Sequence, residues 1–368
     1  MDVFVAGASM VKVERHYDKG AMELADEAVK RLTMDLKDEV RPDALIVANT
    51  YGELTGQRLM IGSRIANSLG LNSPFTVRVE EGDAGGGAAV SLGYSMVKSG
   101  IARKVLVLGV EKLTDYSSKY MNEVYSQTVV DEYQYFAGVS NSSIAAILMR
   151  QYLRKYKVDY SYFSTWPILM HSNAVENPYA YLKFKVDQKT IVESQVISDP
   201  LRLFDVGARA DGASCILMTS NEVARKFTDA PVKLTGLGYA SSPYDYTPSL
   251  PSLKLALRRM LQGTGLRLGE VDVVEIHDSY SIIAALILEE AGLAESGKAF
   301  DRLAGVNPSG GLKARGYPGG STGVYQVAEV FMQLAGQYPG KRVKGARSGL
   351  VISTDDLATS SYVISLEV

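Results

Sequence analysis

Short runs rich in valine, isoleucine and leucine alternate along the chain with longer stretches of helical periodicity. Runs that are apolar throughout are typical of strands buried on both faces of an α/β sheet. In the first half the pattern predicts strands at 3–6, 44–48 and 104–109, with helices at 21–35 and 88–98. In the second half it predicts strands at 232–237, 271–276 and 349–353, with helices at 252–262 and 324–335.

The two halves have the same order of elements. Corresponding elements are displaced by roughly 230 to 245 residues, and each half places a glycine-rich turn before its last helix. The sequence therefore predicts an α/β protein built from two duplicated βαβ-type halves. We predict an N-terminal half over 1–228 and a C-terminal half over 229–368.

The first half is the longer one because it contains an insertion over about 111–200, which holds 11 of the 22 tyrosines. These tyrosines either line a ligand channel or subunit interface, or pack as ordinary side chains with a polar tip. Within the insertion, the run Ser140-Asn141-Ser142 offers caps for a helix that continues towards Arg154 and Lys155.

Charge and hydropathy exclude several classes of protein. The 39 basic and 41 acidic residues give a net charge of −2, so no overall field attracts nucleic acid or anionic lipid. No apolar run approaches the roughly twenty residues that a membrane span needs. The segment Met1–Gly7 lacks a basic leader and is expected to form the first strand, so we expect no signal peptide and a cytoplasmic protein.

Special chemistry must come from few residues. A single cysteine, Cys215, excludes an intramolecular disulfide and a thiolate cluster, and only three histidines argue against a zinc site. Cys215 lies in the apolar stretch 212–218, where a small buried core residue is expected. We therefore expect neither a metal nor a prosthetic group.

Two glycine-rich turns, 82–87 and 310–323, each lie between a strand and a helix. Free backbone N–H groups and the helix dipole make such turns suitable for an anion or a developing oxyanion. Neither turn has the GxGxxG spacing or a Gly-Lys-Ser/Thr sequence, which argues against dehydrogenases and kinases.

Several runs resemble the thiolases, and most of all their sterol-carrier-protein and archaeal types. The strongest are Gly82–Ala89, Glu275–Tyr280, Asn307–Gly311 and Gly316–Gly323, and the weaker ones are His171–Ala174, Asn177–Tyr179 and Ala210–Ala213. The resemblance covers essentially the whole chain. It implies a five-layered αβαβα sandwich with an inserted loop domain and a coenzyme A thioester as ligand. It also implies a homodimer formed through the N-terminal sheet, within a tetramer or beside a protein that handles acyl groups or coenzyme A.

The chain departs from the thiolase pattern at the residues that carry the chemistry. The family's nucleophilic cysteine lies at the start of the helix after the first glycine turn, where this chain has Asp83. The histidine of the family's Gly-His-Pro motif is replaced by Tyr317. The family's second catalytic cysteine is expected near 352–356, which contains no cysteine.

Three side chains are the catalytic candidates. His277 lies in the loop that contributes to the family's oxyanion hole, although a hydrogen bond to a neighbouring turn is the alternative. Asp83 either caps the following helix, or is held ionised at the helix N-terminus and acts as a base. Tyr317 either donates a hydrogen bond to a carbonyl or to Asp83, or packs in the space of the family's histidine. Gly319 and Gly320 are candidate contacts for coenzyme A, although backbone shape alone also explains them.

Three functions fit these residues. The first is a thiolase-like acyl-CoA-binding enzyme with an altered thioester reaction, for instance hydrolysis or decarboxylation. The second is a non-catalytic scaffold or carrier subunit of an acyl-CoA complex. The third is an ordinary acetyl-CoA C-acetyltransferase, against which the missing thiolates argue. Contacts to the phosphates of coenzyme A are expected from the insertion, where Arg150, Arg154 and Lys155 either serve this purpose or form a solvated helix face.

Overall fold

The computed structural model describes residues 1–56, 59–71, 74–128, 131–244, 246–262 and 264–368. The strands are β1 (Val3–Met10), β2 (Ala44–Ala48), β3 (Phe75–Val79), β4 (Lys104–Glu111), β5 (Val196–Ser198), β6 (Leu201–Arg202), β7 (Gly212–Ser220), β8 (Val232–Ser241), β9 (Val273–Ile276), β10 (Ser348–Thr354) and β11 (Ser360–Glu367). The α-helices are α1 (Ala21–Asp35), α2 (Ile61–Ser68), α3 (Gly85–Lys98), α4 (Ser118–Ser126), α5 (Glu132–Phe136), α6 (Asn141–Tyr156), α7 (Thr165–Glu176), α8 (Gln188–Val192), α9 (Asn221–Phe227), α10 (Pro251–Leu261), α11 (Ser281–Glu290) and α12 (Thr322–Leu334).

The strand order repeats outward from the centre of the main sheet. Nine strands are hydrogen-bonded in the order β3-β2-β4-β7-β1-β8-β11-β10-β9. In the first half β2 and β4 are parallel, and β7 pairs antiparallel with β4. In the second half β9 and β10 are parallel, and β11 pairs antiparallel with β10. The halves join where Val3–Val5 pairs with Val232–Leu234. This symmetry confirms the predicted duplication.

Two helices, α3 and α12, pack against each other between the strands of the two halves. Alternate residues of a strand point to opposite faces. Ile46 of β2 and Val351 of β10 therefore belong to the central core around α3 and α12. Their neighbours along the strands face the two outer cores. Leu45 packs in the core that contains α1 and α2. Leu350 packs in the core that contains α10 and α11. The five-layered αβαβα arrangement is confirmed.

The insertion covers the outer side of the second half. Ser140 caps α6 by accepting a hydrogen bond from the backbone N–H of Ser143 at 3.2 Å, as its position predicts. Leu148 and Tyr152 of α6 are buried in the same core as α11, whereas Ile147 is exposed. No helix in the described part of the chain is both long and apolar enough to cross a membrane.

Candidate active site

The candidate residues meet beyond the carboxyl ends of β9 and β10. These strands are parallel neighbours, and Ile276 pairs with Ile352, so the residues that follow them lie side by side. His277 follows β9, and its backbone N–H donates to the carbonyl of Ile352 at 3.0 Å. Asp356 lies two residues after β10. Asp356 is in the run where the thiolase resemblance places a second cysteine, but it was not among the predicted site residues.

Tyr317, Asp356 and His277 form a buried polar cluster. The Tyr317 hydroxyl donates to Asp356 Oδ1 at 2.7 Å. His277 Nε2 lies 3.6 Å from the same oxygen, and the His277 and Tyr317 rings are edge to face at 5.7 Å between centroids. From the insertion, Asn141 Nδ2 donates to Asp356 Oδ2 at 3.2 Å. The structure therefore brings two predicted residues together around a carboxylate.

Asp83 lies behind this cluster and does not cap α3. The cap position is Ala84, no side chain makes a capping bond there, and Asp83 Oδ1 has no hydrogen-bond partner among the described residues. Tyr51 instead donates its hydroxyl to Asp83 Oδ2 at 3.0 Å. The helix-capping interpretation is wrong because the carboxyl group points towards Tyr51 rather than back to the helix N–H groups.

The pKa values of the two aspartates are shifted in opposite directions. Burial and the negative charge of Asp356 raise the pKa of Asp83 well above its usual value, which favours the protonated form of Asp83. Burial would also raise the pKa of Asp356, but His277 and the hydrogen bonds from Tyr317 and Asn141 outweigh burial and bring the pKa below its usual value. These shifts argue against the expectation that Asp83 stays ionised, and they favour Asp356 as the ionised carboxylate of the site.

Tyr317 keeps its phenolic proton. Burial and the charges of Asp356 and Asp83 raise the pKa of Tyr317 well above its usual value. A phenol in this state donates a hydrogen bond but does not act as a free phenolate. Two backbone hydrogen bonds fix Tyr317 in place. Its N–H donates to the Ala208 carbonyl at 2.7 Å, and its carbonyl accepts from the Ala210 N–H at 3.1 Å.

A second buried network fixes the loop that carries His277. Asp278 accepts hydrogen bonds from Trp166 Nε1 at 3.0 Å, from Asn307 Nδ2 at 3.0 Å and from the Leu312 N–H at 2.7 Å. Gly311 has φ +58°, and a Cβ there would lie 2.4 Å from an Asp278 oxygen. Glycine is thus required where the second glycine turn approaches Asp278.

Two connected cavities lead to the cluster. The outer cavity, about 650 Å³, is bounded by the insertion and by the segment 203–209. The inner cavity, about 180 Å³, shares eight lining residues with it and ends at Tyr317 and Asp356. Neither His277 nor Asp83 lines either cavity. Tyr317 and Asp356 therefore line the inner cavity, next to Ser279 and Tyr280.

The other candidate residues lie away from these cavities. Gly319 packs against Tyr51, and a Cβ on Gly320 would lie 2.0 Å from Thr50 Oγ1, so both glycines are explained by close packing. Cys215 is buried in β7, as expected of a core residue, and burial raises the pKa of its thiol. Neither cavity is lined by the basic residues of α6, which are Arg150, Arg154 and Lys155. Arg150 forms an ion pair with Asp199.

Sequence reasoning missed several residues of the site. Asn141 was singled out only for its place at a helix start, yet its amide reaches Asp356. Tyr125 and Ser142 of the insertion line both cavities, which supports the ligand-channel role for part of the tyrosine-rich insertion. The described residues contain no group of three or more histidine, cysteine, aspartate or glutamate side chains placed to hold a metal ion.

Glu111, at the end of β4, is a buried carboxyl group below the Tyr51 turn. It accepts hydrogen bonds from the N–H groups of Thr50 and Tyr51, the second at 3.2 Å. Burial raises its pKa from 4.5 to about 8, although these two N–H groups oppose the shift. The folded protein therefore holds a proton on Glu111 that the unfolded chain has lost.

Glu111→Gln is expected to flatten the dependence of stability on pH. Between pH 4.5 and about 8 the unfolded chain binds fewer protons than the folded one, so the stabilising contribution of Glu111 is complete at low pH and is lost as the pH rises. A rise in pKa from 4.5 to about 8 corresponds to about 5 kcal/mol of pH-dependent stability, which the glutamine variant should gain relative to the natural protein across this window. Urea unfolding at several pH values measures the difference, and parallel pH profiles for the two proteins would contradict it.

Comparison with known proteins places the chain in a family. The thiolase N-terminal domain family matches residues 3–222, and the family described as thiolase C-terminal domain-like matches residues 241–367. An acetyl-CoA acetyltransferase of Methanothermobacter thermautotrophicus is 33% identical over 366 residues, which cover 95% of each chain. Sterol carrier protein 2 of Oryctolagus cuniculus is 26% identical over 397 residues, covering 95% of this chain and 69% of that protein.

A solved structure supports the same assignment of fold. The Ltp2-ChsH2(DUF35) aldolase superposes with a TM-score of 0.82 at 20% identity, over 99% of this chain and 97% of that one. This fold agrees with the duplicated halves, with the central pair of helices and with the family matches along both halves. The chain belongs to the thiolase superfamily.

Proposed function

We propose that this protein is an enzyme that binds a coenzyme A thioester and transfers a proton at the carbon next to the thioester carbonyl, without forming a covalent acyl-enzyme. The observation that carries the proposal is the hydrogen bond from Tyr317 to Asp356 at the inner end of the cavities. It places an ionised carboxylate and a phenolic donor side by side. Relatives named for acetyl-CoA support the ligand class.

The absence of a reactive thiol argues against covalent acyl transfer. The chain has one cysteine, Cys215, which is buried in β7. The position of the family's nucleophilic cysteine holds Asp83 in this chain, and the raised pKa of Asp83 favours its neutral form. A neutral carboxyl group is a poor nucleophile towards a thioester.

Acid–base chemistry needs a base and a donor to the developing enolate oxygen. Asp356 accepts the proton from the carbon, and the Tyr317 hydroxyl turns from Asp356 to the thioester oxygen as negative charge develops there. Loss of the Tyr317 hydrogen bond makes Asp356 more basic at the same moment. His277 acts as a positioning residue because it contacts Asp356 and lines neither cavity.

An enolate of this kind is shared by several carbon–carbon bond reactions. Condensation of two thioesters and aldol cleavage of a β-hydroxyacyl thioester both pass through it, so the proposal is compatible with relatives named acetyltransferase and aldolase.

The experiment is hydrogen exchange into the acyl group. The protein is incubated with acetyl-CoA or butyryl-CoA in D₂O, and the mass of the recovered thioester is followed. We expect deuterium to enter the carbon next to the carbonyl at a rate well above that in buffer. Binding without exchange for both thioesters would instead favour the scaffold or carrier function.

Tyr317→Phe is expected to slow this exchange about a hundredfold at saturating thioester, because the enolate loses a preorganised hydrogen-bond donor. Thioester affinity should change little, since the donor is needed mainly in the transition state. Exchange rates and calorimetric affinities measure the two effects separately. A loss of affinity equal to the loss of rate would mean that Tyr317 only shapes the cavity.

The proposed assembly is the homodimer implied by the family. β3 is the edge strand of the main sheet, and its first residue, Phe75, is 55% exposed. An exposed aromatic residue on an unpaired edge strand supports pairing with a second copy. Partner proteins and a cytoplasmic location stay predictions.

A further inference from the structure

The outer cavity has a cationic wall. Three of its lining residues are basic, Arg15, Arg209 and Lys313, and none of the described lining residues is an aspartate or glutamate. None of the three basic side chains forms an ion pair with a carboxylate of the described residues within 4.0 Å. A concave wall of one sign attracts an anionic ligand.

Lys313 is the buried member of this wall. It lies in the π-helical turn Gly311–Arg315 and is 5% exposed. Its Nζ donates to the carbonyls of Val206 at 2.8 Å and Leu203 at 3.3 Å, and it lies 5.2 Å from the centroid of the Phe204 ring. Two of its three N–H bonds therefore have a described acceptor oxygen. Burial lowers the pKa of Lys313 to about 8, so the ammonium form still dominates at pH 7.

One backbone segment connects the ammonium group with the proposed reaction site. Val206, whose carbonyl holds Lys313, is followed by Gly207, and both line the inner and outer cavities. A Cβ on Gly207 would lie 3.2 Å from the Tyr317 ring. Lys313 and Tyr317 thus contact adjacent residues of one segment, about 3.8 Å apart along the backbone.

We propose that Lys313 binds an anionic group of the thioester ligand, either a carboxylate at the far end of a dicarboxylic acyl chain or a phosphate of coenzyme A. The inference rests on the proposed function, because it requires a thioester in these cavities. Lys313 then determines specificity, because its charge selects thioesters that carry such an anion. The two carbonyls leave one N–H of the ammonium group for such an anion, and a charge-assisted hydrogen bond is stronger than one between neutral groups.

Calorimetric titration with matched thioesters tests the site and distinguishes the two sources of the anion. The probes are succinyl-CoA, butyryl-CoA and the corresponding succinyl and butyryl thioesters of pantetheine, which lack phosphate. The variant is Lys313→Gln, whose amide can still donate to the carbonyls of Val206 and Leu203. Lys30→Met removes an equal charge from an exposed position on α1, where Lys30 pairs with Asp26, and should change no affinity.

If Lys313 holds the acyl carboxylate, the natural protein binds succinyl thioesters about tenfold more tightly than butyryl thioesters, and Lys313→Gln abolishes that preference. If Lys313 holds a phosphate, Lys313→Gln weakens both coenzyme A thioesters about tenfold and leaves both pantetheine thioesters unchanged. Either result supports the site. Equal affinities of the natural protein and Lys313→Gln for every probe would overturn it.

Two further outcomes keep the inference separate from the proposed function. If the natural protein binds no thioester, the proposed function fails and the inference fails with it. If it binds all probes but Lys313→Gln changes nothing, only the inference fails. Should Lys313→Gln not fold, Lys313→Met provides a second uncharged side chain of similar length, and the same comparison of affinities applies.

Discussion

Asp356→Asn is expected to slow deuterium exchange into a bound acyl-CoA about a thousandfold, within the range that a general base contributes. Asn retains the shape of the side chain and can still accept the Tyr317 hydrogen bond, but its amide cannot take a proton from carbon. Thioester affinity should therefore stay within a few-fold of the natural protein. Exchange rates at saturating butyryl-CoA, read by mass spectrometry, measure the effect.

The neighbouring aspartate is the matched control. Asp355 accepts hydrogen bonds from the Ser360 N–H at 2.6 Å and from Thr359 Oγ1 at 3.1 Å, and it lines neither cavity. Asp355→Asn should leave the exchange rate near that of the natural protein while lowering stability. Equal losses of exchange in the two variants would mean that the turn, rather than the Asp356 carboxylate, supports the reaction.

Gly323→Ala is expected to lower the free energy of unfolding by about 3 kcal/mol. A Cβ on Gly323 of α12 would lie 2.4 Å from the backbone nitrogen of Gly87, and a Cβ on Gly86 of α3 would lie 2.6 Å from that of Gly323. The backbones of the two middle helices cannot yield as a flexible side chain would, so the helices must separate. This cost outweighs the roughly 1 kcal/mol by which alanine favours a helix over glycine.

Urea unfolding measures this effect, with Gly269→Ala as its control. A Cβ on Gly269 meets no atom within 4 Å, so that variant should change stability by no more than about 0.5 kcal/mol. A Gly323→Ala protein as stable as Gly269→Ala would contradict the close approach of α3 and α12.

Periodicity alone predicted the elements that are apolar throughout or clearly amphipathic. α1 and β2 have the predicted bounds, whereas α3 begins at Gly85 rather than residue 88 because the turn glycines already adopt helical geometry. β11 was not predicted because its serines obscure the alternation, although β8 and β10 pair with it on either side. β3 was missed because it is short and begins with the exposed Phe75.

Only part of the site was predicted from the sequence. Motif resemblance located Asp83, His277 and Tyr317, which the fold brings into one region. It did not show that Asp356, more than 70 residues beyond His277, enters the cavity while Asp83 lies behind it. The sequence did not show that the pKa of Asp83 is raised, because burial and the approach of Asp356 arise only from tertiary packing.

The central claim is that the thioester reacts by proton transfer without a covalent intermediate. The most direct measurement combines the intact mass of the protein with the deuterium content of butyryl-CoA, both taken from one acid-quenched incubation in D₂O. The account predicts a protein mass without an acyl adduct, together with deuterium next to the thioester carbonyl. An acyl group attached to the chain at a stoichiometry near one would contradict the account and restore covalent acyl transfer.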